Sequence, residues 1–443
     1  MNRPLRIAMF VGSFPVVSET FILQQITGLM DLGHTVDIYA DTRADAAATH
    51  PEVTAYGLQD RVTYMDMPPE SAPWEMPVRP VTGHTWLPGA ATSIPNWRRV
   101  ARAAPKWLGC FSTSPRLAIQ VLQRAQHGYR AASLSALYRL DRLRRVSPRY
   151  DVLHAHFGPV GNCFRFARDL WQAPLVVTFH GYDFCVTPRE EGPAVYHALF
   201  RDADGVTVNS QYTRERVIEL GCPPERVSIL HVGVDLRRFV FQSRRRIGTD
   251  PVRLITVGRL VPKKGIEFAL RAVASIREKH PHIQYDIVGE GPLRTELEKL
   301  VKELNLGGQV ILHGAKDSRF VQDQITRAHI FMLPSFTAAN GDQEGTPVSL
   351  MEAQAVGLPV LSSQHSGIPE VVKNGQSGFL VPERDVVGLA EKLDFLITHP
   401  EVCQDMGICG RKHVETEFDI RRLNRELVEI YQRVNEPLHR RRP

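Results

Sequence analysis

No Cys-x-x-Cys pair occurs in this 443-residue chain; its six cysteines, Cys110, Cys163, Cys185, Cys222, Cys403 and Cys409, are scattered. Such spacing excludes a zinc ribbon and offers no disulfide framework, so it suits reduced thiols in a cytosol. Long apolar runs are missing as well. No stretch approaches the ~20 apolar residues of a spanning helix, and the opening MNRPLRIAMFVGSFP is too short in apolar residues for a secretory signal. A cytoplasmic chain is the expectation. Acid is scarce in one region only: between Ile94 and Tyr150, twelve Lys or Arg meet a single carboxylate, Asp141. Trp97, Trp107, Leu108 and Phe111 are interleaved with those cations. The mixture fits docking of 94–150 on an anionic membrane surface, or else the solvated faces of two basic helices. Nucleic acid is not expected as a partner, because no reader motif accompanies the charge.

What is present is globular. The chain exceeds what one core usually serves, and its hydrophobic content of 43% and charged content of 23% are ordinary. Two domains follow. Short apolar runs alternate with amphipathic stretches: Arg6–Val11, the helical Glu19–Leu32, Thr35–Ala40, Asp151–His156, Leu175–Phe179, Gly205–Asn209 and Val227–His231. Strand–helix alternation of this kind predicts a parallel sheet covered on both faces. After a polar stretch the pattern restarts with Val252–Gly258, Tyr285–Gly289, Gln309–Gly314, Ile330–Pro334, Leu358–Ser362 and Ser377–Val381. The fold class is therefore α/β, two Rossmann-like doubly wound halves. The expected boundaries are 1–235, a linker at 236–250, 251–415, and a final helix over 416–436. Ligands of open α/β sheets bind at the carboxyl ends of the strands, which makes a cleft between the halves the expected site. The Pro- and Gly-rich Pro68–Ser93 predicts an irregular loop, and Pro437–Pro443 a frayed tail.

Chemistry concentrates in Asn340–Val360. Thr346-Pro347 reads as a helix start, with Thr346 as N-cap, and Gly357 reads as its stop. The first N–H groups of such a helix, around Pro347, Val348, Ser349 and Leu350, are unpaired and partly positive, and Gly345 lets a ligand approach. An anion such as a diphosphate fits there. Glu344, in the loop at the rim, and Glu352, further along the helix, make poor phosphate ligands but good acceptors for sugar or ribose hydroxyls. The bland alternative is a capped helix with incidental glutamates. In Gly258-Arg-Leu-Val-Pro-Lys-Lys-Gly265, Arg259 and Lys264 follow a strand and can neutralise a departing diphosphate. Basic residues on turns are often just solvated, but here a helix N-terminus lies in the same half.

Weaker signals accompany these. The Gly12-Ser-Phe-Pro15 turn and Gly289-Glu290-Gly291-Pro292 each bring backbone close to phosphates, though the latter lacks the third glycine of a dinucleotide fingerprint. His154 and His156 share one strand face, and His180 closes another strand. Zinc is the alternative reading, yet no carboxylate or cysteine falls at ligand spacing, so no metal is expected. His180 is better placed as a polar group contacting sugar or phosphate, with a buried structural role the alternative, more so for His154.

Together the Glu344-to-Glu352 element, Gly258-Arg259, Lys263-Lys264-Gly265 and Thr178-Phe-His-Gly181 resemble the family-4 retaining glycosyltransferases of GT-B fold. Ser18-Glu-Thr-Phe-Ile22 and Gly341-Asp-Gln-Glu-Gly345 resemble more narrowly the exopolysaccharide enzymes of the colanic-acid type. The likeness is clear over Arg253–Arg384 and patchier before Asp151; Thr346 and Gln354 depart from the family pattern. It implies transfer of a hexosyl group from a UDP- or GDP-sugar to a saccharide acceptor, a polyprenyl-diphosphate-linked one, with retention and without a required metal or cofactor. It further implies diphosphate binding by Arg259 and Lys264, donor-sugar contact by Glu344 and His180, ribose contact by Glu352, and phosphate held near Gly12 and Thr346–Leu350. A non-catalytic sugar-nucleotide-binding subunit and a sugar-nucleotide epimerase share the fold and stand as rivals.

Overall fold

Continuous apolar runs do become strands buried on both faces. A computed structural model describes residues 3–16, 19–44, 50–65, 96–123, 134–146, 149–243 and 251–439. Ser18, the Pro68–Ser93 stretch, Arg124, Arg130 and residues 440–443 lie outside them. The chain divides into two compact units: Met1–Val208 with Arg214–Ser228 and Asn424–Pro443, and Asn209–Thr213 with Ile229–Leu423.

The first unit holds a seven-stranded sheet built from β1 (Arg6–Phe14), β2 (Thr35–Arg43), β3 (Val62–Tyr64), β4 (Val152–His156), β5 (Leu175–Phe179), β6 (Gly205–Val208) and β7 (Val227–Ile229), in the order β3-β2-β1-β4-β5-β6-β7. From β3 to β6 every pairing is parallel. Strands β4 and β5 are buried at every residue, as a doubly covered sheet requires. Helix α1 (Thr20–Asp31) buries Ile22, Leu23, Ile26 and Leu29, one stripe at helical spacing. Gly12 lies inside β1, flanked by the paired Val11 and Ser13, so the expected glycine turn is extended strand and the chain turns only after Phe14. Nothing in the composition marked the strand's end, because Ser13 still pairs with Thr42.

The basic segment forms α2 (Asn96–Thr113), α3 (Pro115–Gln120) and α4 (Ser135–Leu143). Part of its charge turns inward. Arg139 makes a buried two-pronged pair with Asp41 at 2.9 and 2.7 Å. Asp141 gathers Arg144 at 2.7 Å, Arg145 at 3.0 Å and Lys106 at 3.6 Å. On α2, Val100, Leu108 and Phe111 recur at i, i+8 and i+11, one helix face, with 62%, 60% and 41% exposure.

The second unit holds a six-stranded parallel sheet: β8 (Arg253–Val257), β9 (Gln284–Val288), β10 (Val310–Gly314), β11 (Ile330–Leu333), β12 (Val360–Ser363) and β13 (Gly378–Val381), in the order β10-β9-β8-β11-β12-β13. Successive residues feed opposite cores. Leu254, Ile330 and Met332 join Leu270 of α5 (Ile266–Ile276), whereas Ile255, Phe331 and Leu333 join Leu350 of α6 (Val348–Ala355). Helix α7 (Val386–Thr398) adds Leu389 and Leu393 to the first cluster. Phe239, in the stretch read as a linker, is buried in the second cluster. The last helix, α8 (Ile420–His439), belongs to the first unit from Asn424 onward, where Tyr431 Oη bonds His154 Nδ1 at 2.6 Å. It runs through Pro437, so the tail is helical as far as His439.

Candidate active site

Strand order in the second sheet reverses between β8 and β11, and the loops leaving those two strands must converge there. They do. The Phe336 N–H donates to Lys263 O at 2.9 Å. Gly265 has φ +63, and a Cβ there would fall 1.9 Å from Pro334 O, so only glycine allows this approach. The Lys264 ammonium thereby reaches Glu344: Nζ and Oε1 lie 2.9 Å apart, with side-chain exposures of 14% and 8%. Lys264 runs over Gly258, whose absent Cβ would stand 3.4 Å from Lys264 Cε. Lys263 donates to Asp342 Oδ1 and Gln343 O, each at 3.0 Å. One lysine thus holds the loop and its neighbour meets the carboxylate the loop carries.

Glu344 is not at a loop rim. It is buried, because the segment from Asp342 to Gly345 is drawn down onto the lysine pair. Burial opposes its charge, but Lys264, then Lys263, hold its carboxyl below the usual range. Glu352, half-buried on α6, goes the other way: burial pushes it up to about 7, with only Arg238 pulling it down. Arg259 sits where expected, directly after Gly258 and β8.

The helix start differs from the expectation. Pro347, not Thr346, occupies the cap position of α6, with ψ 118°, and no side chain caps the helix. Pro347 itself is extended rather than helical, so the helix begins at Val348 and Thr346 lies one position before the cap. Thr346 Oγ1 is buried without a hydrogen-bond partner, as is Ser335 Oγ near the other end of the same loop between β11 and α6. Unpaired N–H groups and unsatisfied hydroxyls are what an oxygen-rich ligand would complete. Gly345 and Pro347 are buried, Val348 and Ser349 half-buried, and the Leu350 side chain is wholly in the core; its N–H donates to Pro347 O at 3.1 Å, so the donors open to a ligand are those of Val348 and Ser349.

Gly289 and Gly291 have a job other than approaching phosphate. A Cβ at Gly289 (φ +149) would fall 1.9 Å from Gly258 O, and one at Gly291 2.5 Å from Leu260 O. They let this turn stack on the Gly258–Leu260 backbone, where the Leu260 N–H donates to Glu290 O at 3.0 Å. The Glu290 carboxylate is exposed and pairs with Arg294 at 2.9 Å.

In the first unit His180 closes β5. Its ring lies 4.7 Å from that of Phe21 and 4.6 Å from that of Phe157, and its Nε2 is 3.0 Å from His156 Nδ1. Burial first, and the neighbouring His154, push it down to about 3, so it is neutral at physiological pH. Asp183 went unassigned in the sequence. Its buried carboxylate accepts the N–H groups of Gly181 at 2.8 Å, His180 at 3.1 Å and Gly158 at 3.3 Å, pinning the His180 loop. Burial lifts it to about 6 despite those donors. An Asp just beyond His-Gly was the available signal, since such residues commonly bond backbone nearby. His154 is structural: its ring nitrogens bond Tyr431 and Thr178, both at 2.6 Å. Among the described residues no group of three or more His, Cys, Asp or Glu is placed to hold a metal ion.

The chain is similar to known proteins in sequence and in fold. The family described as glycosyl transferases group 1 matches residues 239–413, which contain both converging loops, and the glycosyl transferase 4-like domain matches residues 18–233. WcaL of Salmonella typhimurium, a glycosyltransferase named for colanic acid biosynthesis, is 32% identical over 440 residues, spanning 97% of this chain and 100% of its own. AmsK of Erwinia amylovora, an amylovoran biosynthesis glycosyltransferase, is 31% identical over 438 residues with the same coverage. Anabaena HepE, crystallised in complex with UDP, superposes with a TM-score of 0.65 over 96% of this chain and 98% of its own, at 16% identity.

Proposed function

The chain belongs to the group 1 glycosyl transferases, with their GT-B pair of parallel-sheet α/β domains, and from that premise we propose the reaction its second unit performs. A hexosyl group passes from a nucleoside diphosphate sugar, UDP- or GDP-linked, to a saccharide acceptor of exopolysaccharide synthesis, with retention of configuration. The observation that carries this is the buried Lys264–Glu344 pair in the loop that leads to an uncapped helix N-terminus. As the anomeric carbon–oxygen bond breaks, negative charge grows on the leaving diphosphate. Lys264, Arg259 and the first N–H groups of α6 receive that charge from fixed positions, without a metal ion. The acceptor hydroxyl attacks from the same face and gives its proton to the departing phosphate oxygen, so no protein nucleophile is needed. Glu344 accepts hydroxyls of the donor sugar, and Glu352 those of the ribose. For His180, neutral and held by Asp183, the family likeness implies a contact with sugar or phosphate. An epimerase would need a free acid for proton abstraction; the Asp183 carboxylate is occupied by backbone donors.

The acceptor is a polyprenyl-diphosphate-linked saccharide, met at an anionic membrane surface through the 94–150 segment. Its support is the exposed apolar face of α2 within a stretch of twelve cations and one acid. No helix of the described residues is long and apolar enough to cross a membrane.

Release of nucleotide from labelled donors, with and without acceptor, tests the reaction. Lys264→Ala should lower kcat by ~100–1000-fold, the usual loss for one preorganised donor to a developing anion. Turnover at the wild-type rate in that variant would overturn the assignment.

A further inference from the structure

We infer that His365 and Ser366 are positioning residues for Glu344, gripping its backbone by both polar groups so that its carboxylate stays against Lys264. The Glu344 N–H donates to His365 Nε2 at 3.2 Å, and Ser366 Oγ donates to Glu344 O at 2.6 Å. The inference rests on Glu344 contacting the donor sugar, as proposed above.

The ring has one usable tautomer. His365 Nδ1 lies 2.6 Å from Glu383 Oε1, and a carboxylate can only accept, so Nδ1 carries the proton. Nε2 is then left with the lone pair that the Glu344 N–H requires. Burial works against the Glu383 charge, yet the Thr337 N–H at 3.0 Å and the His365 ring keep its carboxyl below the usual range. Thr337 and Glu344 lie in the same loop between β11 and α6, so Glu383 ties one part of it to the ring that holds the other. A proton added at Nε2 would set a donor against a donor and release the grip. His365 itself is 2% exposed, which fixes the ring's plane.

Ser366 and Gly367 complete the fit. Ser366 has φ +47, a left-handed conformation that residues other than glycine, Asn and Asp seldom adopt. At Gly367 a Cβ would stand 2.7 Å from Gly345 O and 2.9 Å from Thr346 Cγ2. Three consecutive residues are thus matched to 344–346 by an acceptor, a donor and a missing side chain. Lys263 fastens the loop at Asp342 and Gln343, and the grip on the next residue's backbone fixes Glu344 itself, as a carboxylate acting on a reacting sugar needs.

Selective ¹⁵N-histidine labelling of the full chain, with His365→Gln to assign its signal, reads the tautomer: Nδ1–H is expected, and Nε2–H overturns the proposal. His365→Leu should lower kcat by ~10–100-fold, with Kd for UDP or GDP unchanged within about 2-fold. His365→Gln keeps an acceptor near the Nε2 position and should recover most of that loss. Ser366→Gly relieves the φ +47 strain and should fold at least as well as wild type, yet lose kcat by about 5-fold or more. Wild-type kcat in both His365→Leu and Ser366→Gly overturns the positioning role. A wild-type protein that transfers from no nucleotide sugar would instead sink the proposed reaction, and the tautomer would still decide the grip.

Discussion

Two glutamates eight residues apart end in opposite electrostatic states, and the difference follows from what lies within a few ångströms of each. Glu344 has Lys264 at 2.9 Å and is held ionised, while Glu352 is desolvated with Arg238 as its one opposing influence. For an acid raised to about 7 from 4.5, the folded state binds the proton more tightly than the unfolded chain across that interval. Stability from this group therefore falls as pH rises from about 4.5 to about 7 and is level above. Glu352→Gln does not titrate, so it should gain on the wild type over the same window, by up to roughly 3 kcal/mol at pH 8. Denaturant midpoints at pH 5 and pH 8 check this; an equal difference at both would refute the raised pKa. The presence of two acids at the start of α6 was legible in the sequence. Their charge states were not, because Lys264 is 80 residues from Glu344 and Arg238 still further from Glu352 along the chain.

Helix α6 shows which signals survive folding at the scale of one element. Its stop was readable. Gly357 takes φ +86, its N–H donates to Gln354 O at 3.0 Å, and the Leu358 N–H donates to Ala353 O at 2.9 Å, a glycine-terminated helix end. Gly357→Ala places a Cβ 2.7 Å from Phe241 Cε2 and forces a left-handed alanine. We expect a loss of about 2 kcal/mol or more, seen as a Tm lowered by several degrees. The start lies one residue later than the Thr-Pro pattern indicates. Thr-Pro looks like a cap followed by a first turn, but Pro347 is extended, at the end of the tight loop held by His365 and Ser366. Strand β3, three half-buried residues, left no periodic pattern to find. Of the two glycines that read as phosphate-approach positions, Gly12 lies in a strand and Gly289 lets two backbones stack.

For the whole molecule, the uneven distribution of charge is the main surface feature. Among the described residues of the segment between Ile94 and Tyr150, Lys106, Arg139, Arg144 and Arg145 are held by Asp41 or Asp141, which ties α4 to β2 and to α2. The apolar face of α2 remains outward, with Val100 and Leu108 among the most exposed large apolar residues described. Apolar surface beside excess cations binds anionic lipid by both terms, each cation near the surface adding about 1 kcal/mol. The protein should therefore cosediment with vesicles rich in anionic lipid at low salt and release as salt rises. Leu108→Glu combined with Phe111→Glu should abolish binding while leaving the fold intact, since both side chains face water. Binding undiminished in the double variant would remove α2 from the interface.

By itself the sequence determined the two parallel sheets and the chemical inventory of the site, because strand alternation and helix stops are local and a carboxylate or ammonium is fixed by its residue type. Only the tertiary structure decided how that inventory is used. Which acid is charged, which hydroxyl is left unsatisfied and which histidine grips the Glu344 backbone depend on partners far along the chain, 80 positions away for Lys264 and Glu344. Ionisation and hydrogen bonding are set by distance in space, and no local pattern records that distance.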